Sequence, residues 1–248
     1  MATGRRCGLE TRLRSRVRHP GPSIVGGVSD TLPMFPLGTV LFPGVMVPLR
    51  VFEDRYRALI HHLIREPDPA HRLFGSVGIR EGYEVGDHGS QSLFRVGCRL
   101  QLTEVESHED GTFDIIAVGR DRIRLDRLDT TGPFPAACVE TMPSADDTVD
   151  PALVERALAL FTAYRAAVTP YRGDPHPSEL PRDPTYLSWT LAAVAPLAMP
   201  ERQALLESDD TALRLTMVAD LLRSELRAMT AIPSLPATEV ARTRWSPN

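Results

Sequence analysis

The strongest constraint on the fold is a change in the spacing of apolar residues near position 150. Between residue 45 and about residue 142, apolar and polar residues alternate in short runs, as in strands that bury one face. From residue 150 onward, apolar residues recur every three to four positions, as in amphipathic helices. The sequence therefore predicts an α+β protein in which a β-rich part precedes an all-helical part.

The β-rich part contains alternating segments that are separated by short turns. These predicted strands occupy residues 45–51, 94–102, 113–128 and 136–142. The alternation slips before Val105, which predicts a β-bulge, and HEDGT at 108–112 is typical of a turn. Strands at such short spacing favour a β-barrel.

One predicted helix interrupts the strands. Apolar residues over 56–64 follow helical spacing, and Pro67 and Pro69 end the pattern. His61 and His62 fall on the opposite, solvated face. A helical metal site would need ligands four positions apart, so no metal site is predicted there.

The helical part carries clear start signals. Asp150–Pro151 and Asp183–Pro184 each place a capping carboxylate directly before a proline at the first helical position. Pro200 can open a short third helix, and apolar residues over 215–229 predict a longer fourth one. We expect four regions in all, with MPSADDTVD as the joint between the folded ones. They are a disordered Arg-rich tail (1–30), a β-barrel (31–143), a helical lobe (150–229) and a flexible C-terminal tail (230–248).

The composition excludes several chemistries. All 28 basic residues are arginine, and the chain has no lysine. A P-loop needs a lysine on the nucleotide phosphates, and Ser-Lys and Schiff-base catalysis need a lysine that can deprotonate. Arginine cannot replace it, because its guanidinium stays protonated. No catalytic or dinucleotide-binding motif is present either, so we expect neither a catalytic residue nor a cofactor.

The charge is unevenly distributed. Residues 1–30 carry a net charge of +4, whereas the rest of the chain has 22 arginines against 30 acidic residues. An acidic folded region argues against nucleic acid as a partner. The segment RDRIRLDRLD at 120–129 is basic only in part, because aspartates are interleaved with its arginines. We expect a solvated, ion-paired strand face there, with Ile123 inside and Arg122 outside.

The remaining reactive residues have structural interpretations. No apolar run is long enough for a membrane span, and no secretory signal follows the N-terminal arginines. Three scattered cysteines do not form a disulfide framework, so a cytoplasmic protein is predicted. Cys98 falls on the inward phase of its strand, and Cys138 is predicted to be a buried thiol as well. Glu53 and Arg55 are expected to form a helix cap and a salt bridge.

The most specific stretch is LPMFPLGTVLFPGVMVPLRVFEDRY at residues 32–56, which contains two Phe-Pro pairs and two glycines. Together with VGRDRIRL at 118–125, it resembles the signature of the Lon N-terminal domain, the substrate-recognition part of ATP-dependent Lon proteases. The residues that carry the resemblance are Phe35, Pro36, Leu37, Phe42, Pro43, Gly44, Phe52, Glu53, Arg55, Tyr56, Gly119 and Arg122.

The resemblance extends over roughly residues 31–229 and implies a PUA-like β-barrel followed by helices. Asp54 stands where the family usually has proline, and a carboxylate suits the first turn of a helix equally well. Since the chain ends after the helical part, the resemblance implies a stand-alone, non-catalytic recognition module without the ATPase and peptidase domains of Lon.

Two interpretations of the signature prolines remain open. In the first, the prolines stiffen the start of the barrel, and Phe35, Leu37 and Phe42 fill its core. In the second, the same segment presents apolar surface to a bound client protein. We expect unfolded or apolar peptides, or a protease or chaperone, as partners. The alternative is RNA binding of the PUA type, and the oligomeric state stays open. The candidate peptide contacts, between barrel and helices, are Phe42, Met46, Tyr186 and Trp189.

Overall fold

The computed structural model describes residues 30–80, 93–143, 148–172 and 180–231. The strands are β1 (Asp30–Pro33), β2 (Met46–Val51), β3 (Leu73–Ile79), β4 (Leu93–Ser107), β5 (Phe113–Asp129) and β6 (Ala136–Thr141). The helices are α1 (Asp54–Ile64), α2 (Pro151–Arg172), α3 (Pro184–Val194), α4 (Met199–Glu207) and α5 (Thr211–Ala231). The predicted α+β architecture is confirmed. The predicted tails lie outside the described residues, and the division into domains stays a prediction.

The strands form one curled antiparallel sheet in the order β1-β6-β5-β4-β3, and β2 pairs with the first half of β5. The segment after β1 joins the two edges of this sheet. Phe35 N donates to Gly75 O at 2.8 Å and Leu37 N donates to Val77 O at 3.0 Å, both on β3. The first Phe-Pro pair therefore lies where the curled sheet, a half-barrel, closes on itself. The restricted backbone of Phe35 and Pro36 suits the extended conformation of this segment.

Two strands lack a period-2 signal, and their burial explains why. β3 is buried at almost every position, because side chains cover both of its faces. β1 has only four residues and contains a proline. The predicted bulge in β4 is confirmed by a register shift between Leu102 and Glu104. β5 runs without interruption through both halves of its predicted segment.

The helix starts largely match their sequence signals. Asp150 Oδ1 accepts a hydrogen bond from Ala152 N, and Asp183 Oδ1 accepts one from Tyr186 N, each at 2.9 Å. At α1 only half of the prediction is right. Glu53 makes no side-chain cap, but its carboxylate lies 2.7 Å from Arg55 Nη2, so the salt bridge is confirmed.

The cores show how the two parts meet. The largest buried cluster contains helical residues together with Val40, Phe42 and Val96 from the β-rich part. Two further clusters fill the curled sheet. Cys98 is buried as predicted. The prediction for Cys138 is wrong, because its neighbours Ala137 and Val139 point inward and leave the thiol exposed.

Candidate functional site

The second Phe-Pro pair forms a tight turn in front of β2. Val45 N approaches Phe42 O at 3.4 Å, Pro43 occupies the second position and Gly44 has a φ of 73°. A proline followed by a glycine with positive φ meets the requirements of a type II turn. The sequence FPGV thus fixes the direction in which the chain enters β2.

Gly119 on β5 forms backbone hydrogen bonds with this turn. Gly44 N donates to Gly119 O at 2.9 Å, and Gly119 N donates to Val45 O at 3.0 Å, which is the pattern of a glycine bulge. A Cβ atom at Gly119 would overlap the Phe42 carbonyl. The two distant parts of the signature therefore meet, and only glycine fits at the point of contact.

The Phe42 side chain points from this turn into the helical part. Its ring stacks on Trp189 with 5.9 Å between centroids, and the two residues are 1% and 3% exposed. Arg202 lies 5.4 Å from the Phe42 ring and Arg214 lies 3.8 Å from the Trp189 ring. This pair belongs to the core between sheet and helices.

The prediction that Arg122 faces solvent is wrong. Arg122 is 2% exposed, and its guanidinium donates hydrogen bonds to the carbonyls of Leu206, Ser208 and Pro143. It also lies 2.7 Å from Asp209 Oδ1. The alternation of apolar and polar residues gave the wrong prediction here because helices cover the outer face of β5. Arg122 and its neighbour Ile123 are therefore both buried. Elsewhere in the predicted ion-paired segment, Asp121 Oδ2 lies 3.1 Å from Nη1 of Arg99, which belongs to β4 and not to the segment itself.

Among the described residues, the three most exposed large apolar side chains belong to β2, to the residue that follows it and to α3. Met46 and Phe52 are 63% and 65% exposed, and Tyr186 of α3 is 58% exposed. The Tyr186 ring covers Gly44, since its Cδ1 lies 2.8 Å from the position of a Cβ there. We call Gly44, Met46, Pro48, Phe52 and Tyr186 the β2 surface. Of the four predicted peptide contacts, Met46 and Tyr186 belong to it, whereas Phe42 and Trp189 are buried beneath.

β2 also has an edge that no described strand occupies. Val45 and Gly119 form a hydrogen-bonded pair, so the backbone groups of Val47, Leu49 and Val51 point toward β5. Those of Met46, Pro48 and Arg50 point away from it. Pro48, which has no N–H, stands on this outward phase, as expected for proline in an edge strand.

The described residues offer little reactive chemistry. Burial raises the pKa of the Cys98 thiol far above its usual range, which makes it a poor nucleophile. Within the described ranges, no three potential metal ligands cluster together. In the same ranges, no helix is long and apolar enough to cross a membrane. A groove of about 410 Å³ beside β2 is lined by residues of β2, β4 and β5, among them Leu49, Glu104, Glu106 and Ile115.

The sequence matches a family model over residues 31–224, and that family is described as the ATP-dependent protease La (LON) substrate-binding domain. The chain belongs to this family. The match contains both parts of the signature, the helices α1 to α4 and the larger part of α5.

Individual relatives agree with this assignment. The chain is 26% identical over 239 residues to Lon protease from Desulfovibrio desulfuricans, covering 90% of this chain and 26% of the relative. It is 27% identical over 203 residues to Lon protease from Escherichia coli K12, covering 79% of this chain and 25% of the relative. The chain thus spans about a quarter of the length of these relatives.

Solved structures of the family share the fold. A Lon N-terminal domain protein from Xanthomonas campestris superposes with a TM-score of 0.57 at 25% identity, covering 77% of this chain and 98% of that chain. The N-terminal domain of Lon protease from Mycobacterium avium complex gives a TM-score of 0.56 at 17% identity, covering 78% and 98%. The second match supports the fold alone.

Proposed function

We propose that this chain is a non-catalytic recognition module that binds unfolded, apolar peptide segments on the β2 surface. The observation that carries the proposal is the exposure of Met46, Phe52 and Tyr186 along a stiff turn and strand. Contiguous patches of exposed apolar side chains mark interaction sites on proteins. Membership in a substrate-binding family supports a peptide as the ligand.

The bound peptide is extended and lies along the edge of β2 that no described strand occupies. Met46 and Arg50 offer a backbone N–H and a carbonyl there, and Pro48 offers a carbonyl only. Peptides add to such edges through main-chain hydrogen bonds, which are independent of sequence, while alternate side chains provide the preference. Apolar side chains of the peptide would contact Met46 and Tyr186.

A direct titration tests the class of ligand. Labelled unstructured apolar peptides and a structured RNA are titrated against the full chain at low and at moderate ionic strength. Weak peptide binding that changes little with salt is expected, because contacts driven by apolar area are not screened as charge pairs are. Tighter binding of RNA, with strong salt dependence, would overturn the proposal.

The binding mode has its own test. Two versions of a peptide with alternating apolar and polar residues are prepared. One is N-methylated on its odd-numbered amides and the other on its even-numbered amides. A strand added to β2 uses the amides of one phase only, so one methylated peptide should lose binding and the other should keep it. Equal binding of both peptides would contradict strand addition.

The absence of lysine supports the non-catalytic part of the proposal. The purified chain should neither hydrolyse ATP nor cleave casein, since no lysine is present for phosphate binding or for a Ser-Lys dyad. We further propose a cytoplasmic location and delivery of bound segments to a protease or chaperone. Pull-downs from native cytosol, with wild type and a Met46→Ser/Tyr186→Ser variant, test that partnership. Proteases or chaperones captured equally by both would contradict it.

A further inference from the structure

Arg122 joins three separate parts of the chain through one buried guanidinium. Its Nη1 donates to the carbonyls of Leu206 at 3.2 Å and Ser208 at 3.0 Å, at the end of α4. Its Nη2 donates to the carbonyl of Pro143 at 2.6 Å, just after β6. We propose that Arg122 is the positioning residue of the peptide site, because it holds the helices in the place where Tyr186 completes the β2 surface. This inference rests on the proposed function and adds the residue that pre-organises its site.

The connection from Arg122 to Tyr186 runs through α3. Arg122 Cζ lies 6.0 Å from the Trp189 ring centroid, and Arg214 lies on the same ring at 3.8 Å. Arg214 also donates to the carbonyl of Ser208 at 3.0 Å and to Ser188 Oγ at 3.1 Å. Two guanidiniums therefore share the Ser208 carbonyl and fix α3 beside the turn between α4 and α5.

α3 in turn contacts the signature turn through two aromatic rings. Trp189 stacks on Phe42, and Tyr186, one helical turn earlier, covers Gly44. Met46 follows Gly44 by two residues on β2. A shift of α3 would move Tyr186 away from Gly44, and so away from the start of β2. The geometry of the site thus depends on a residue outside it.

The hydrogen bonds of Arg122, rather than its charge, carry this role. The side chain of Asp209 is 68% exposed, so solvent screens the ion pair. The carbonyls of Leu206, Ser208 and Pro143 need a planar fork of donors that reaches in several directions at once. A lysine ammonium is a compact point donor and cannot reproduce this pattern.

The experiment compares Arg122→Ala and Arg122→Lys with Leu63→Ala, a core change on α1 that lies in a different hydrophobic cluster. The chain has two tryptophans, Trp189 and Trp245. All three variants are made in a Trp245→Phe background, so that tryptophan emission reports on Trp189 alone. Affinity for a labelled unstructured apolar peptide and Trp189 emission are measured at a temperature where circular dichroism shows the variants folded. The Lys variant decides the question if the Ala variant does not fold.

Both Arg122 variants should bind the peptide about tenfold more weakly, because a pre-organised site has been loosened. Their Trp189 emission should shift to the red as the ring gains exposure. Leu63→Ala should lower the unfolding temperature and leave affinity and emission unchanged. Wild-type affinity in a folded Arg122 variant, or an equal loss in Leu63→Ala, would overturn the inference.

The two proposals fail in different ways. If the wild-type chain binds no peptide, the proposed function fails. Trp189 emission still reports whether Arg122 holds α3 in place, and unchanged emission in folded Arg122 variants overturns the positioning role by itself.

Discussion

Gly119 lies directly against the carbonyl of Phe42, so that the place of a Cβ atom on β5 is taken by backbone from the turn before β2. This contact joins residues that are 77 positions apart in the chain. It explains why the turn sequence FPG and the strand sequence VGRDRI occur together. The signature residues at this contact form the junction on which the helices pack.

Gly119→Ala should lower the free energy of unfolding by about 3 kcal/mol, since backbone rather than a flexible side chain must move to admit the methyl group. Gly38→Ala is the matched control, because nothing lies within 4 Å of a Cβ there. Its effect should stay within about 0.5 kcal/mol. Chemical denaturation of both variants provides the comparison, and equal stabilities would refute the contact.

Phe42→Ala should cost about 3 to 5 kcal/mol, because it leaves a cavity between the half-barrel and the helices. Tyr186→Ala removes an exposed ring from the same junction and should cost far less. Thermal unfolding separates the two variants. A Phe42→Ala protein that keeps its melting temperature but loses peptide binding would favour the client interpretation of the signature.

The stability should depend on Cys98 at alkaline pH. Burial raises the pKa of this thiol in the folded state, so it ionises first in the unfolded chain, above about pH 8.5. Its contribution to stability is therefore complete below that pH and declines as the pH rises. Between pH 7.5 and 10, wild type should lose about 1 to 2 kcal/mol more than Cys98→Ala.

The control is Cys138→Ala, which removes an exposed thiol. Denaturation curves at several pH values measure the difference. If Cys98→Ala and wild type lose the same stability over this range, the thiol is not buried as described.

Limited proteolysis tests the predicted domain boundary. The first cuts should fall at 143–150 or at 170–183, where the sequence is polar or rich in proline. Over residues 97–101, β4 pairs with both β3 and β5, so this part of the strand should resist cleavage. Early cleavage within 93–105 would contradict the strand assignment.

How far the sequence predicts this protein depends on how many faces of each element are buried. β2 has one wet face, and its alternation predicted it well. β3 and the middle of β5 are covered on both sides, which removes the alternation and conceals the burial of Arg122. The only sequence signal for Arg122 was its place in the family signature.

The candidate site was predictable only in part for a related reason. Periodicity identifies which residues an element could bury, but it does not show which of two apolar residues the helices will cover. Phe42 and Met46 are close neighbours with similar patterns, and the packing of α3 buries one and leaves the other exposed. Tyr186 was predicted as a peptide contact, but only the structure shows that its ring lies against Gly44 beside β2.

The most direct test of the account is a titration of one labelled unstructured apolar peptide against three folded proteins. These are the wild type, Met46→Ser/Tyr186→Ser on the β2 surface, and Ile64→Ser/Leu213→Ser, which removes exposed apolar side chains elsewhere. The β2-surface variant should bind about tenfold more weakly, because an apolar anchor accounts for much of such binding, and the control should match wild type. Peptide binding that the β2-surface variant retains, or that both variants lose equally, would contradict the central claim.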